Sequence, residues 1–385
     1  MKLFILKEKL KTSLNIVEKI ISRSLTLPIL NNVLLSAKKN LLNLTTTNLE
    51  TGINYWTLAQ IEKEGEITIP VKLLSNFVSF LPEKKVTLEV KNQTLYIECE
   101  NYKTQIKGFS PEEFPIIPKI SKTEEYIEID IFSFCQGLAQ VVENAALTPT
   151  RPEISGIYFS FQKNQIQMTA TDSFRLAEKK LFYETETSPP FLKEYSLILP
   201  QKTARELLFI LSEKKPTSQT PEKMKIYFSP NQIMFELPMT EIPHPQLQIV
   251  SRLIEGEYPN YQEIIPKKYQ TQIILEKNEF LNQLKAASLF SGKINEIKFK
   301  IDPKKEGIEI LTQNPDLGQS QSFLPGIIKG EKVEISFNWR FLIDGILNIK
   351  SPEVIFELNG EGDPAVLKPV GDPSYIYVLM PIKIS

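Results

Sequence analysis

The sequence predicts an α+β protein made of three similar units, each with two helices packed on antiparallel sheet. Three observations predict it. A helix with one apolar stripe opens each third of the chain. A short Thr-rich strand ending in Asn or Asp follows each of them. A second helix, then a strand of alternating polarity, closes each third. With 385 residues the chain is too long for one small core, so two or three domains are expected.

The first helices cover roughly residues 7–21, 131–146 and 277–290. Their apolar positions are Leu10, Leu14, Val17 and Ile20 or Ile21, then Phe134, Leu138, Val141 or Val142 and Ala145, then Phe280, Leu284 and Ala287. That is the i, i+4, i+7 spacing of a helix burying one face. The strands that follow end in Thr45-Thr46-Thr47-Asn48, Thr169-Ala170-Thr171-Asp172 and Leu311-Thr312-Gln313-Asn314. Asn and Asp suit a tight turn there, because they tolerate unusual backbone angles and bond their own main chain. Pro70 and Pro200 open the second helices of the first two units, where a missing N–H costs nothing, and Asn338 stands near the start of the third. These helices read Val71–Leu81, Gln201–Ser212 and Trp339–Asn348. Val86–Val90, Met224–Phe228 and Val354–Leu358 then alternate as half-buried strands do.

Two units end in matching phrases, Ser110-Pro111-Glu112-Glu113-Phe114-Pro115-Ile116-Ile117-Pro118 and Glu257-Tyr258-Pro259-Asn260-Tyr261-Gln262-Glu263-Ile264-Ile265-Pro266. They set the expected domains at 1–120, 121–267 and 268–385. The middle unit is longer, through loops around Lys214–Lys223 and Pro238–Gln246. Any α+β chain shows helices and strands in some order. Three units of like size and order build a solenoid, a ring or part of a ring.

Composition narrows the function. Hydrophobic residues make up 42% and charged residues 24%, as in ordinary globular proteins. No apolar run is long enough to span a membrane, and the apolar start Leu3-Phe4-Ile5-Leu6 is too short for a signal peptide. Cys99 and Cys135 have no disulfide or zinc spacing, which fits a reducing cytoplasm. The single histidine, His244, lies in a Pro-rich loop and cannot form a His-pair metal site. No HExxH, CxxC, GxSxG, GxGxxG or Walker A pattern occurs, and Gly360-Glu361-Gly362 is a bare GxG. Asp172 could do acid–base work, but nothing near it in sequence supplies a partner. The expectation is a protein that is not an enzyme, with no cofactor and no metal. Net charge is −1, from 45 basic and 46 acidic residues, so tight nucleic-acid binding over the whole surface is not expected.

Four phrases carry a family resemblance. Arg23-Ser24-Leu25-Thr26-Leu27-Pro28-Ile29-Leu30, Ala170-Thr171-Asp172-Ser173-Phe174-Arg175-Leu176-Ala177, Glu255-Gly256-Glu257-Tyr258-Pro259-Asn260-Tyr261 and Val378-Leu379-Met380-Pro381-Ile382-Lys383 occur in this order. Together they resemble the signatures of bacterial replicative sliding clamps (DNA polymerase III beta subunit). The family usually has Gly-His where this chain has Ser173-Phe174. A basic residue often stands at the place of Glu263, and arginine is commoner than Lys383.

The resemblance implies the DNA-clamp fold, three domains forming half of a closed ring, and a head-to-tail homodimer that encircles duplex DNA without reading its sequence. It implies processivity for the DNA polymerase and a cytoplasmic location with no membrane contact. Partners would be the polymerase III alpha subunit, the clamp loader, and other polymerases and repair proteins, docking through short linear peptides. By position, Arg23, Lys72 and Arg151 correspond to DNA-contacting residues. The peptide groove would comprise Ile154, Thr171, Phe174, Arg175, Leu176, Pro259, Ile264, Ile294, Asn338, Phe341, Val378, Met380, Pro381 and Ile382. Each of these residues could equally be core, and taken singly Leu176 and Val378 read better as core than as groove. The alternating segment Thr94–Gly108, with Thr104 and Ile106, would be an edge strand at the dimer interface, facing Ser288 and Leu289.

The helices should carry outward cations: Lys7, Lys9, Lys11, Lys19, Lys72, Lys202, Arg205, Lys277, Lys285 and Arg340. Such a scatter attracts phosphates without base readout, and it is also what any solvated helix face looks like. Two other classes stay open from the residues alone. An enzyme of repeated α+β units would need ionisable groups converging in one cleft. A monomeric peptide-binding adaptor would not encircle DNA and would have the mass of one chain.

Overall fold

The computed structural model describes residues 1–21, 27–118, 120, 126–148, 150–162, 164–183, 195–212 and 222–383. Arg23 and the first part of its phrase therefore lie outside the described residues, as does most of the 214–223 loop.

The repeat is present in the order of elements. The first third runs β1 (Lys2–Leu6), α1 (Lys7–Val17), β2 (Asn32–Lys38), β3 (Leu41–Thr47), β4 (Thr51–Leu58), β5 (Gln60–Lys63), β6 (Gly65–Pro70), α2 (Val71–Ser79), β7 (Lys85–Lys91), β8 (Thr94–Cys99) and β9 (Tyr102–Lys107). The middle third has β10 (Tyr126–Asp130), α3 (Ile131–Val141), β11 (Gly156–Gln162), β12 (Gln165–Thr171), β13 (Arg175–Phe182), β14 (Tyr195–Pro200), α4 (Gln201–Ser212), β15 (Lys223–Ser229), β16 (Gln232–Pro238) and β17 (Pro245–Arg252). The last third has β18 (Thr271–Glu276), α5 (Lys277–Ser288), β19 (Glu296–Asp302), β20 (Gly307–Asn314), β21 (Gly318–Pro325), β22 (Ile327–Gly330), β23 (Val333–Asn338), α6 (Trp339–Leu347), β24 (Glu353–Leu358), β25 (Ala365–Pro369) and β26 (Tyr375–Leu379).

Strand pairing repeats as well. One set follows the orders β6-β2-β3-β4, β14-β11-β12-β13 and β23-β19-β20-β21. The other follows β1-β7-β8-β9, β10-β15-β16-β17 and β18-β24-β25-β26. All these pairs are antiparallel. Two of the sets are fused across thirds. β17 pairs with β4, Leu247 opposite Tyr55 and Ser251 opposite Thr51, which makes an eight-stranded sheet. β26 pairs with β13, Val378 opposite Leu176 and Tyr375 opposite Lys179, which makes a nine-stranded sheet. The positions equivalent to these joints are β9 and β21, and each ends its sheet.

The chain forms two compact units. One is built on Met1–Cys135 and Lys202–Leu253, the other on described residues between 136 and 201 and from Ile254 onward. Each unit holds one of the fused sheets.

The helix stripes bury as their spacing predicts. Leu10, Leu14, Val17, Phe134, Leu138, Val141, Phe280, Leu284 and Ala287 are all buried. The first helices end earlier than the sequence ranges, with α1 and α3 passing into 3-10 turns at Glu18–Ile20 and Val142–Asn144. Pro70 stands at the N-cap of α2, one residue ahead of the expected place. Asn338 caps α6, its Oδ1 accepting from Arg340 N at 3.0 Å.

In the second unit α6 lies close on β26. A Cβ at Gly345 would come within 2.5 Å of the Tyr377 ring, which is itself held by its hydroxyl donating to Phe341 O at 2.8 Å. Gly345→Ala should therefore destabilise the chain by about 1–3 kcal/mol through overpacking, although alanine is the better helix former. Urea denaturation measures this, and a rise in the midpoint would contradict the packing described.

Candidate functional site

The phrase Thr171–Arg175 forms the turn between β12 and β13. Thr171 Oγ1 accepts from Ser173 N at 3.1 Å and donates to Arg175 O at 2.7 Å. Asp172 Oδ1 accepts from the N–H groups of Phe174 and Arg175, both at 3.0 Å. Ser173 sits at φ +78°, where glycine would be unstrained. The first third makes the same turn from different residues. Leu49 N donates to Thr47 Oγ1 at 3.0 Å, Thr51 N donates to Asn48 Oδ1 at 2.7 Å, and Leu49 has φ +75°. In the last third Asp316 N donates to Asn314 Oδ1 at 2.9 Å, but Pro315 fixes a negative φ, so the turn differs.

Arg175 ties this turn to two other elements. Its Nε is 2.9 Å from Asp172 Oδ2 and a terminal nitrogen is 2.5 Å from Asp344 Oδ2 on α6. The other terminal nitrogen donates to Glu143 O at 3.1 Å, and the guanidinium lies 4.7 Å from the Phe341 ring centre. Burial works against the charge, but Tyr377, Asp172 and Asp344 outweigh it and hold the Arg175 pKa above its ordinary value. Met380 N donates to Phe174 O and Ile382 N to Ser336 O, both at 2.8 Å. The first bond holds Met380 against the turn, and the second holds Ile382 against β23.

Behind it is an apolar cluster of Ala146, Ile154, Leu176, Ile198, Tyr258, Tyr261, Val366 and Val378. Tyr158 stacks on Tyr258 with ring centres 4.9 Å apart. Gln167 Nε2 donates to Tyr261 OH at 2.6 Å and to Glu178 Oε2 at 2.5 Å. Tyr258 and Tyr261 thus anchor the segment that carries Pro259, Glu263 and Ile264.

The sequence-derived groove residues divide accordingly. Phe174, Ile264 and Ile294 are 62%, 50% and 61% exposed. Thr171, Arg175, Pro259, Asn338, Phe341, Met380 and Ile382 are partly covered. Ile154, Leu176 and Val378 are core residues beneath the surface, at 2%, 4% and 2%, and Pro381 is buried too. For Leu176 and Val378 this agrees with the core reading, because strand alternation turns both inward. Trp339 N donates to Asn295 O at 2.9 Å, which joins the stretch bearing Ile294 to α6. Asp344 and Ser173 are partners that sequence reasoning misses. Asp344 has no local spacing signal, and only the pairing of β13 with β26 brings it to Arg175.

The basic residues are more engaged than their positions predict. Lys7 is 4% exposed and paired with Glu83, so it does not point outward. Lys277 is partly covered and donates to Ile349 O at 2.6 Å. Lys9 pairs with Glu241 at 3.4 Å, and Lys19 lies 3.9 Å over the Phe209 ring. Arg151 reaches Glu153 at 3.0 Å and Ser173 Oγ at 3.2 Å. Lys72, Lys202, Arg205, Lys285 and Arg340 are exposed. Of the interface residues, Leu289 is 71% exposed, Thr104 and Ser288 are partly covered, and Ile106 at 5% belongs to the core.

Among the described residues no group of His, Cys, Asp or Glu is placed to hold a metal ion, and no helix is long and apolar enough to cross a membrane. Burial pushes the Cys135 thiol up to about 12, which keeps it protonated near neutrality.

Profiles of the DNA polymerase III beta subunit match the chain as N-terminal domain over residues 1–118, central domain over 128–260 and C-terminal domain over 262–383. The beta sliding clamp of Synechococcus elongatus is 29% identical, covering 100% of both chains. That of Staphylococcus aureus is 27% identical, covering 97% of this chain and 96% of its own. The crystal structure of the Bacillus subtilis DNA polymerase sliding clamp superposes with a TM-score of 0.91 at 26% identity, covering 100% of both chains. The Thermotoga maritima beta subunit shares the fold, with a TM-score of 0.88 at 22% identity over 100% of both chains.

The Arg175 bridge gives a graded expectation. Arg175→Met leaves a partly buried Asp172 unpaired and should cost about 2 kcal/mol, below the usual range for a fully buried pair because Asp344 is half exposed. Asp344→Ala should cost under about 1 kcal/mol. Thermal unfolding of the two variants measures the difference, and equal losses would contradict it.

Proposed function

The chain belongs to the DNA polymerase III beta subunit family and is a DNA sliding clamp, and on that premise we propose that two copies close head to tail into a ring. The observation that carries this is the strand bookkeeping. Two of the joints between like strand sets are made within the chain, and the two leftover positions are β9 and β21. Pairing β9 of one copy with β21 of the other repeats the β17–β4 and β13–β26 joints a third time. A heterologous contact of this kind either closes or runs on as a filament, and closure removes the free edges. The three-domain division at 1–120, 121–267 and 268–385 belongs to the same reading and is supported by the repeated strand order.

The ring confers processivity by enclosing duplex DNA, in a role that holds rather than catalyses, inside the cytoplasm. Lys72 and Arg151 meet phosphates through weak, sequence-independent contacts, the role that family position also gives Arg23. The exposed apolar residues Phe174, Ile264 and Ile294, with Phe341, Met380 and Ile382 beside Arg175, receive the linear peptides of the polymerase III alpha subunit, the clamp loader, and other polymerases and repair proteins. The composition suits this, with apolar walls, an adaptable Met and few polar groups. A monomeric peptide-binding adaptor is the less favoured reading.

Leu289→Asp places a charge at an exposed position, so folding should be unaffected while the assembly falls apart. Sedimentation should give twice 44.1 kDa for the native chain and 44.1 kDa for the variant. A native chain that sediments as one copy would overturn the ring. Replacing Lys72 and Arg151 together by Ala should lower the dependence of log affinity on log salt by about 2, one for each phosphate that is no longer neutralised. An unchanged slope removes both residues from the DNA-facing set.

A further inference from the structure

The two sheet joints made within the chain are built alike, yet they differ at one paired position. β13 opens on Arg175 and β4 on Thr51, each just after its turn, and these residues stand opposite Leu379 and Ser251. The second helices lie against them, and Asp344 and Glu206 each stand five residues after the start of theirs. At the β13–β26 joint this brings a cation to a carboxylate, Arg175 to Asp344. At the β4–β17 joint Thr51 takes the place of the cation. Its hydroxyl is 2.8 Å from that of Thr203 on α4, and Ser251 Oγ is 3.2 Å from the same Thr203 oxygen. The three buried hydroxyls serve one another.

Glu206 is left over. Its Oε2 is buried and has no hydrogen-bond partner, a state that native structures rarely leave without a reason. Two charged groups bear on the carboxyl. Lys202, one turn earlier on α4, favours the ionised form, and Glu50, in the turn between β3 and β4, opposes it. From β4 and β17 the hydroxyls of Thr51 and Ser251 meet α4, while Arg252, next on β17, is exposed. Arg205, beside Glu206 on α4, is exposed as well, and Lys19 lies over the Phe209 ring further along the helix. Burial is the largest influence and pushes the Glu206 carboxyl up to about 7.

We propose that Glu206 makes the β4–β17 joint sensitive to pH: with a proton it lets α4 seat against the start of β4, and without one it works against that seating. A carboxylate with a buried, donorless oxygen is costlier than the neutral carboxyl. The β13–β26 joint lacks this sensitivity, because Arg175 compensates the carboxylate in the equivalent place. An ordinary glutamate titrates at 4.5. Between that value and about 7 the folded chain keeps a proton that the unfolded chain has released, so stability is lost as pH rises through this window and is level above it. Near neutrality both forms are populated, and small changes of pH act on the joint. The device needs neither a second copy nor DNA.

The test follows the full, isotope-labelled chain by NMR. The side-chain carboxyl carbon of Glu206, assigned through its own main-chain amide, should titrate with a midpoint above about 6. Hydrogen exchange of the β4 and β17 amides is then compared between the native chain and Glu206→Gln at equal pH, which cancels the intrinsic pH dependence of exchange. Protection in the native chain relative to the variant should fall about tenfold from about pH 5 to about pH 8. The same ratio for the β13 and β26 amides should stay constant. A midpoint below about 6, a constant ratio at β4 and β17, or an equal change at both joints would overturn the proposal. The midpoint needs no variant, so it decides even if Glu206→Gln does not fold.

Discussion

The constraint on which the rest depends is the unpaired strand edge. Every internal edge strand in this fold exposes a row of N–H and C=O groups, and each such group left buried without a partner costs more than a hydrogen bond returns. The chain resolves this twice, by running β4 into β17 and β13 into β26, so that sheets continue where one third of the sequence gives way to another. The register across these joints also assembles the candidate site. Pairing Arg175 with Leu379 and Leu176 with Val378 sets the Thr171–Arg175 turn beside the C-terminal strand. Met380 N then reaches Phe174 O, and Arg175 reaches Asp344. A sheet joint thus becomes a rigid floor with apolar side chains on it.

Charge follows the same economy. The chain is almost neutral overall, and several of its helix cations are engaged by carboxylates, carbonyls or rings: Lys7 by Glu83, Lys9 by Glu241, Lys277 by Ile349 O and Lys19 by Phe209. Exposed pairs of this sort contribute little to stability. They do moderate the field that DNA would feel. A protein that must move along a duplex is served by few and weak phosphate contacts, provided that something other than affinity prevents escape.

Much of the fold is legible in the sequence, and for local reasons. Leu10, Leu14 and Val17, or Phe280, Leu284 and Ala287, announce a buried helix stripe because helix geometry is periodic. Asn48, Asp172 and Asn314 announce turns because their side chains bond the next main-chain amides. What stays illegible is what depends on contacts distant in sequence. Nothing near Lys7 signals Glu83, and nothing near Arg175 signals Asp344. Family position alone does not separate Ile154, Leu176 and Val378, which are core, from Phe174 and Ile294, which are exposed, since strand alternation and the covering segment decide that. Sequence position offers Arg151 as a phosphate contact, and its bonds to Glu153 and Ser173 emerge only once the turn is folded.

On the proposed reading, containment and not grip keeps this protein on DNA, with β9 and β21 supplying the closing joint. The most direct measurement is retention on a circular plasmid after loading by the clamp loader, followed at high salt before and after a single double-strand cut. Retention on the circle at a salt concentration that screens phosphate contacts, with rapid loss once the DNA has ends, is the predicted result. Loss from the circle at that salt, or equal persistence on linear DNA, would contradict it.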